Sequence, residues 1–387
     1  MKKQKIAIIT SRFPYPLDKG DKLRIYYQIK YLSKRHEIYL ISLNTEKKIN
    51  LKSISAIQKY CVEIHIIQIG FITKLLNLIK AFLVQKPLQV GYFYSKRAHK
   101  KIKKIISKIR PDWCYSQLIR TSEYTRHEEN NIIDYMDALS KGIDRRISTF
   151  PKIIQNIIKR EYQITQKYEN DIFSDFKKHI IITANDRNHI NHPEKKNIYI
   201  VENGVDTDYF KPLNKKKDYD LIFVGNMSYP PNIQAALYIC NKIAPIIENK
   251  YKKCKILIGG TNPHKKIQKL HGDNITISGW TKDIREIYAS GKVFVAPMFI
   301  GTGLQNKLLE AMAMGIPCVT TKLANQALLA NPSQITIANN EIEFANACIQ
   351  ILKNNQKANM FTKEAFKFIR EKYSWEIMDN KLNAIFE

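Results

Sequence analysis

A lysine and a glutamate near residue 310 have the types and the spacing to hold a charged ligand. Lys307 and Glu310 lie three residues apart in a predicted helix, so they share one helical face. Gly301 and Gly303 precede that helix, and glycine lets a backbone approach a ligand closely because it has no Cβ atom. The N-terminus of a helix also attracts anions. An ammonium for a diphosphate and a carboxylate for ribose hydroxyls would suit a nucleotide diphosphate-sugar, although an ordinary loop–helix–strand unit accounts equally well for the spacing.

A second glycine turn follows the apolar run at residues 221–224. Gly225 and Asn226 come directly after this predicted strand and before a predicted helix. A close approach of the backbone at Gly225 would let the following N–H groups meet a diphosphate. A purely structural turn is the alternative interpretation.

Acidic residues end a predicted strand at residues 131–137. Asp137 would lie at the carboxyl edge of a sheet, where open α/β sheets bind their ligands. A carboxylate there could orient an acceptor hydroxyl group or act as a general base. Asp137 could equally cap the helix that follows.

The elements that would carry these residues alternate between strands and helices. Apolar runs at 5–11 and 36–43, with a helical pattern at 23–32 between them, predict the opening of a parallel α/β sheet. The same plan restarts at 219–225, after the polar segment 215–218. With 387 residues, of which 44% are hydrophobic, the chain is large enough for two domains. We therefore predict two Rossmann-like domains that face a cleft.

Positive charge is concentrated in the first part of the chain. The formal net charge is +28, and residues 1–110 contain 25 Lys and Arg against 5 Asp and Glu. Such asymmetry indicates an anionic partner, which could be nucleic acid, an anionic membrane or a phosphorylated substrate. The sequence contains no zinc-finger spacing, RNP-like motif or aromatic-studded basic helix, which argues against nucleic acid.

Two predicted helices could rest on an anionic membrane surface. The first, at 71–84, has an apolar face made of Phe71, Leu75, Leu78, Ile79 and Phe82. The second, at 96–110, is strongly basic. Together they favour a helix pair that lies on an anionic leaflet. The alternative is a core-packed helix beside a solvated basic helix.

The cysteines and the hydropathy of the sequence indicate the cellular compartment of the protein. The six cysteines form no Cys-x-x-Cys pair and several lie in apolar runs, which favours free thiols in a reducing cytosol. The N-terminal apolar run stops too soon for a signal peptide, and no stretch of about 18 uncharged apolar residues predicts a transmembrane helix. We expect a cytoplasmic protein on the inner face of the membrane.

Short acidic patterns give only weak metal-binding signals. The segments 206–208 and 218–220 match an Asp-x-Asp pattern that recurs by chance. His189 and His192 have no second ligand pair nearby, so a solvated turn is the favoured interpretation. We expect no metal and no cofactor besides a donor substrate.

The segment 298–319 resembles the signature of the retaining glycosyltransferases of family 4, which have the GT-B fold. The resemblance rests on a glycine loop, on Glu-Ala-Met-Ala at 310–313 and on Gly-x-Pro-x-Val at 315–319. Many family members carry two glutamates eight positions apart. Here Glu310 occupies the second position and Thr302 stands at the first, which in the family lies near the transferred sugar.

Other segments extend this resemblance. The turn at 225–232 is similar to the first turn of the family's donor domain, and Trp280 follows a glycine where relatives contact the nucleobase. The donor-binding residues implied are Gly225, Asn226, Trp280, Gly303, Leu304, Lys307 and Glu310. The acceptor-binding residues implied are Gly20, Asp21 and Arg24. Asp137 is the catalytic candidate, with Met136 where many relatives have a histidine.

The resemblance also implies a domain plan and an activity. Residues 1–210 would bind the acceptor, 211–370 the nucleotide sugar, and 371–387 would form a C-terminal helix that packs toward the first domain. The protein would be a hexosyltransferase that moves a sugar from a nucleotide diphosphate to a saccharide or lipid-linked acceptor, with retention, in cell-surface polysaccharide synthesis. The alternatives are another nucleotide-sugar enzyme of this fold, such as an epimerase-like one, and a non-enzymatic protein that binds membranes or polyanions.

Overall fold

The computed structural model describes residues 3–45, 49–251, 253–300 and 303–387. The chain forms two compact units, the first of Met1–Glu202 with Met378–Glu387 and the second of Asn203–Ile377.

The first boundary falls after residue 202, whereas the sequence predicted it after residue 210. The segment that starts at Asn203 packs within the second unit. The Val205 amide donates a hydrogen bond to the Tyr373 carbonyl at 2.8 Å. A Cβ atom on Gly204 would lie 2.8 Å from the Trp375 indole, so the two residues are in close contact.

A parallel sheet forms the centre of the first unit, in the order β3-β2-β1-β4-β5-β6-β7. Ile8 on the central strand pairs with Leu40 on one side and with Tyr115 on the other. These side chains are fully buried, as expected when helices cover both faces of a parallel sheet. The strands are β1 (Lys5–Thr10), β2 (Glu37–Asn44), β3 (Glu63–Gln68), β4 (Trp113–Gln117), β5 (Asn131–Met136), β6 (Lys178–Ile181) and β7 (Tyr199–Ile200). The α-helices are α1 (Gly20–Leu32), α2 (Leu51–Gln58), α3 (Phe71–Leu83), α4 (Leu88–Phe93), α5 (Lys96–Ile109), α6 (Leu139–Asp144), α7 (Lys152–Asp171) and α8 (Ala184–His189).

A second parallel sheet forms the centre of the other unit, in the order β10-β9-β8-β11-β12-β13. Its strands are β8 (Tyr219–Val224), β9 (Ile256–Gly259), β10 (Ile275–Gly279), β11 (Gly291–Ala296), β12 (Cys318–Thr320) and β13 (Thr336–Ile337). Its α-helices are α9 (Pro230–Tyr238), α10 (Ala244–Lys250), α11 (Lys265–Gln268), α12 (Arg285–Ala289), α13 (Asn306–Ala313), α14 (Lys322–Leu328), α15 (Glu341–Lys353) and α16 (Asn355–Tyr373). A π-helical segment, Ile239–Ile243, joins α9 to α10. In both sheets the strand order reverses direction next to the first strand, which is the usual place for a ligand.

The last helix, α17 (Trp375–Asn383), begins in the second unit, and its residues from Met378 onward belong to the first. Leu382, Ile385 and Phe386 lie in the apolar core of the first unit. The helix begins at residue 375 rather than at the predicted 371, because α16 continues to Tyr373. In the described ranges, no helix has the length and hydropathy to cross a bilayer.

Candidate active site

Helix α13 carries Lys307 next to the turn that follows β8. The helix is anchored by its buried residues Leu308, Leu309, Ala311 and Met312. Lys307 Nζ donates a hydrogen bond to Asn232 Oδ1 at 2.5 Å and lies 5.1 Å from the centre of the Phe223 ring. Asn232 Nδ2 in turn donates to the Asn226 carbonyl at 2.9 Å. The cation and the glycine turn predicted from separate segments therefore lie together.

The charge of Lys307 is not neutralised by an acidic partner. Its hydrogen-bond partner Asn232 is a neutral amide, and it forms no ion pair with any described residue. Burial lowers the pKa of Lys307 to about 8, although the nearby Glu310 carboxylate opposes this shift. A bound anion would restore a high pKa and receive the ammonium as a hydrogen-bond donor. The site thus suits a phosphate group.

Tyr288, from α12, holds the carboxylate of Glu310. The Tyr288 hydroxyl is buried and donates a hydrogen bond to Glu310 Oε2 at 2.7 Å. Burial raises the pKa of Glu310 to about 7, while Tyr288 and Lys307 oppose the shift. Glu310 is therefore a fixed acceptor that is mostly ionised only above neutral pH. Such a group can accept hydrogen bonds from vicinal sugar hydroxyls.

Three backbone turns lie against one another at the carboxyl ends of β8, β9 and β10. The Gly225 amide donates to the Gly259 carbonyl, and the Gly260 amide donates to the Gly279 carbonyl, each at 3.1 Å. Gly260 has a φ of +131°, and a Cβ atom there would lie 1.8 Å from the Gly225 carbonyl oxygen. A side chain on Gly225 would meet Asn232 at 2.6 Å. Only glycine therefore allows these turns to pack beside Lys307.

Asn226 shapes the first of these turns with its own side chain. Its Oδ1 atom accepts hydrogen bonds from the Ser228 amide at 3.1 Å and from the Ser228 hydroxyl at 2.8 Å. Asparagine forms such local turns readily. A hydrogen bond from a bound ligand to Asn226 Oδ1 would therefore compete with the two bonds from Ser228.

The loop before α13 is described from Gly303 onward. Gly303 adopts a φ of +71°, which favours glycine, and Leu304 is buried. Gly301 and Thr302 lie outside the described residues. Trp280 follows β10 with 72% of its surface exposed, so its indole is free to meet a ligand.

In the first unit, Asp21 is held between two arginines at the start of α1. Its Oδ2 atom lies 2.5 Å from Arg12 Nη1 and 3.3 Å from Arg120 Nη1. Burial opposes ionisation, but the two guanidinium groups outweigh it and lower the pKa of Asp21. Gly20 begins the same helix, and a Cβ atom there would lie 3.3 Å from the Met136 methyl group. The predicted acceptor loop thus lies beside the end of β5.

A small pocket of about 150 Å³ adjoins this loop. Arg12 and Lys22 line it, together with Tyr15, Asn44 and Asn50. It offers donors for hydroxyl or carboxylate groups, and it is a candidate for part of the acceptor site.

The structure does not support a direct acceptor contact by Arg24. Its side chain is fully buried, with Nε 2.7 Å from Asp134 Oδ2 and Nη1 donating to the Val201 carbonyl at 2.9 Å. Tyr115 and Gln28 donate to the same carboxylate oxygen at 2.7 and 3.0 Å. Arg24 instead ties α1 to β5 and to Val201, the residue after β7, from inside the unit.

Asp137 lies half-buried directly after β5, among other ionisable groups. Ala138, not Asp137, occupies the N-cap position of α6, so the capping interpretation does not apply. Glu169 Oε1 instead accepts a hydrogen bond from the Ser140 amide at the start of this helix. Burial raises the pKa of Glu169 to about 8, and the charge of Asp137 adds to this shift. Asp137 thus lies beside Glu169, a buried carboxyl group whose pKa is raised to about 8.

The weak metal patterns have other roles in the structure. Asp206 accepts a hydrogen bond from the Tyr209 amide, and Asp220 forms an ion pair with Lys292 at 2.9 Å. His192 stacks on Phe173 with ring centres 3.9 Å apart. The part of the chain that the structure describes contains no group of three or more potential metal ligands from His, Cys, Asp and Glu.

Comparison with known proteins places these features in a class. Residues 218–354 match the family model described as "Glycosyl transferases group 1". The chain is 25% identical over 394 residues to the "Uncharacterized 44.6 kDa protein in cps region" of Klebsiella pneumoniae, covering 95% of this chain and 96% of that protein. The match to the group 1 glycosyltransferases therefore lies within the second unit.

Solved structures give the fold of the whole chain. Anabaena Alr3699/HepE in complex with UDP and glucose has a TM-score of 0.70 at 12% identity, with 99% of each chain covered. WaaG, a glycosyltransferase involved in lipopolysaccharide biosynthesis, has a TM-score of 0.68 at 12% identity, with 98% of this chain and 99% of that chain covered. Both likenesses extend over the two Rossmann-like units, and the predicted GT-B fold is confirmed.

Sequence reasoning did not identify three residues that shape the site. Asn232 is bonded to a lysine 75 positions away, and Tyr288 to a glutamate 22 positions away. Gly260 directly follows β9, as Gly225 directly follows β8, and this position after a parallel strand was the available signal. The partners of Lys307 and Glu310 carry no periodic pattern that could have indicated them.

Proposed function

We propose that the protein is a glycosyltransferase that moves a sugar from a nucleotide diphosphate donor to a saccharide or lipid-linked acceptor. The observation that carries the proposal is the bond from Lys307 to Asn232, which places a cation of lowered pKa beside the glycine turn after β8. The match of residues 218–354 to the group 1 glycosyltransferases supports it, because this range contains all of these residues.

The donor site is proposed to lie in the second unit. Lys307 would bind the diphosphate, and backbone amides at the turns after β8 and at the start of α13 would add hydrogen bonds. Glu310, oriented by Tyr288, would accept hydrogen bonds from the ribose hydroxyls. Trp280 and the Gly279 backbone would lie near the nucleobase.

The reaction would replace one bond at the anomeric carbon of the sugar. The acceptor oxygen bonds to this carbon as the bond from the carbon to the diphosphate oxygen breaks, and the nucleoside diphosphate leaves with the electron pair. Lys307 and the loop amides would stabilise the charge that develops on the leaving group, in the way of an oxyanion hole, without a required metal. Retention of configuration is proposed from the resemblance to family 4.

The acceptor site is proposed to lie in the first unit. Gly20, Asp21 and the adjoining pocket would form part of it. Asp137 would orient the acceptor hydroxyl and take its proton. Arg120, which pairs with Asp21 and interacts electrostatically with Asp137, would connect these two groups.

A role in cell-surface polysaccharide synthesis, in the cytoplasm and at the membrane surface, is part of the proposal. The relative from the cps region of Klebsiella pneumoniae and the role of WaaG in lipopolysaccharide biosynthesis support it. The bound UDP of HepE supports a nucleotide-sugar donor.

A donor screen by thermal shift, followed by turnover with the donor that binds, tests the proposal. A ligand at 100 times its Kd stabilises by about 2.7 kcal/mol, which raises Tm by several degrees. A UDP- or GDP-sugar should do so in the wild type and fail with Lys307→Met. An epimerase-like enzyme would convert the donor without an acceptor, and a non-enzymatic protein would give neither shift nor turnover.

A further inference from the structure

Helix α3 presents most of its apolar residues to solvent, while Lys74 and Asn77 bond to the rest of the first unit. Lys74 Nζ donates to the Thr45 carbonyl at 3.0 Å, and Asn77 Nδ2 donates to the Tyr94 carbonyl. Ala81 is the one buried apolar residue and packs against Gly91 of α4. The other side, here called the α3 face, consists of the exposed residues Phe71, Ile72, Leu75, Leu76, Ile79, Phe82 and Leu83. A soluble protein rarely leaves such a contiguous apolar surface uncovered.

The α3 face continues onto α7. Arg160 donates a hydrogen bond to the Phe82 carbonyl at 3.1 Å, and its guanidinium lies 4.3 Å from the centre of the Phe82 ring. Ile153 and Ile157 lie on the same side of α7 as Arg160 and are 87% and 51% exposed. Two helices therefore contribute to one apolar surface.

A lysine pocket of about 350 Å³ opens at the end of α3. Its lining residues include Lys80, Lys86, Lys96, Asn77, Tyr94 and Glu123. Lys86 pairs with Glu123 at 2.6 Å, while Lys80 and Lys96 form no ion pair within the described ranges. The pocket therefore has two uncompensated cations, together with polar groups that can hold an anion.

The charge around the α3 face determines what could cover it. The neighbouring helix α5 exposes eight cations, counting the following Arg110, and its sequence contains no acidic residue. A second copy of this chain would bring the same lysines, with a net charge of +28, and would be repelled. An anionic bilayer offers both an apolar interior for the α3 face and phosphates for the lysines.

We propose that the α3 face enters the outer part of an anionic leaflet and that the lysine pocket binds the phosphate of a lipid headgroup. This inference rests on the membrane association within the proposed function and specifies the surface and the ligand. The apolar side chains would displace interfacial lipid, while Lys80 and Lys96 would replace the counterions of one phosphate. The described residues of the donor site take no part.

Vesicle co-sedimentation of the full chain tests the α3 face. Wild type should bind vesicles of phosphatidylglycerol and phosphatidylcholine far better than vesicles of phosphatidylcholine alone. Leu76→Glu with Ile79→Glu should weaken binding by about tenfold or more, since two apolar anchors are lost and two anions are added. Leu51→Glu with Val62→Glu is the matched control, because these side chains are 79% and 56% exposed and lie outside this surface. Equal binding by the double variant and the control would overturn the proposal.

Charge reversal tests the lysine pocket separately from general attraction. Lys80→Glu with Lys96→Glu changes the charge by the same amount as Lys103→Glu with Lys104→Glu, an exposed pair on α5. A specific phosphate pocket predicts that the first pair loses about tenfold more affinity for the anionic vesicles. Equal losses of affinity in the two double variants would overturn the proposed phosphate pocket and leave only a diffuse attraction between the basic surface and the vesicles. Free glycerol phosphate at millimolar concentration could also compete with vesicle binding. If it does so while the loss of affinity in Lys80→Glu with Lys96→Glu stays the same, the pocket binds a soluble ligand and the lipid assignment fails.

Two further measurements separate this proposal from the enzyme assignment and from self-association. Donor-induced thermal shift should be the same in wild type and in the Leu76 and Ile79 double variant, so a failure in vesicle binding alone leaves the donor site intact. Analytical ultracentrifugation should give the same oligomeric state for both proteins. The proposal fails if the wild type is an oligomer, the double variant is a monomer and the wild type does not bind vesicles. The α3 face would then be an interface between copies of this chain.

Discussion

The two units hold their charged residues at the strand ends in different ways. In the first unit the charges are compensated by opposite charges: Asp21 lies between Arg12 and Arg120, and Arg24 is paired with Asp134 inside the core. These pairs complete the fold without any ligand. A site built next to them has little charge left over, which fits the recognition of hydroxyl groups.

In the second unit the corresponding charges have neutral partners. Lys307 is bonded to Asn232, and Glu310 accepts from Tyr288. Burial outweighs the attraction between the Lys307 and Glu310 side chains, so it brings the pKa of Lys307 down to about 8 and the pKa of Glu310 up to about 7. In this comparison, the cation held by a neutral amide lies where an anionic ligand is proposed, whereas the buried pair of Arg24 and Asp134 holds the fold together.

The largest expected effect comes from breaking the structural pair of the first unit. Arg24→Met leaves the fully buried Asp134 carboxylate without its main partner. Removing one partner of a buried pair costs about 3–5 kcal/mol of unfolding free energy. Chemical denaturation should show this loss, while nucleotide-induced stabilisation of the second unit persists.

The matched control is Arg97→Met on α5, where the side chain is exposed and makes no ion pair in the described structure. Its expected effect is within about 0.5 kcal/mol. If Arg24→Met were as mild as this control and instead raised KM for the acceptor, the original acceptor-binding assignment of Arg24 would be correct.

Removing the uncompensated cation of the second unit should affect function rather than stability. Lys307→Met should lower turnover by about 10²–10³, the effect of losing one donor to a developing anion. The exposed Lys322→Met on α14 serves as a control with the same change of charge. Activity in Lys307→Met within a few-fold of this control would show that the diphosphate binds elsewhere.

Hydrophobic periodicity was enough to predict most of the architecture. The apolar runs at 5–11, 36–43 and 219–225 became β1, β2 and β8, since buried parallel strands require continuous apolar segments. β3 (Glu63–Gln68) was not predicted, because it is an edge strand and its residues are mostly half-buried or exposed. Edge strands have weak patterns for this reason.

Hydrophobic periodicity predicts which residues share one face of a helix, but it does not predict what that face contacts. The predicted face at 71–84 shares Phe71, Leu75, Ile79 and Phe82 with the exposed α3 face, whereas the predicted Leu78 is half-buried. Only tertiary contacts show that this face points to solvent, because Lys74 and Asn77 fix the opposite side. Arg24 shows the same limit, since its spacing on α1 does not reveal the buried carboxylate 110 positions away. Burial and long-range partners depend on how segments meet, which local sequence does not encode.

The pH dependence of kcat/KM sharpens the comparison between the units. With Glu310 protonated below its pKa of about 7 and Lys307 deprotonated above its pKa of about 8, the donor site carries both charges only in a narrow window. kcat/KM for the donor should therefore fall about tenfold per pH unit on either side. Lys307→Arg should remove the alkaline limb, because an arginine does not deprotonate in this range. A flat profile between pH 6 and 9 would contradict the assignment of these groups.

The smallest predicted effect concerns the neutral partner of Glu310. Tyr288→Phe removes the hydroxyl that donates to Glu310 at 2.7 Å, and this bond favours the ionised carboxylate. Its loss should raise the pKa of Glu310 further, so the acid limb of the donor profile should move to higher pH and kcat/KM at neutral pH should fall about two- to tenfold. The aromatic ring still fills the same buried volume beside Phe294, so stability should change little by comparison. At pH 9, where Glu310 is ionised in both proteins, Tyr288→Phe should match the wild type measured at the same pH. That result would separate this orienting role from simple packing, because a packing defect would lower activity equally at every pH.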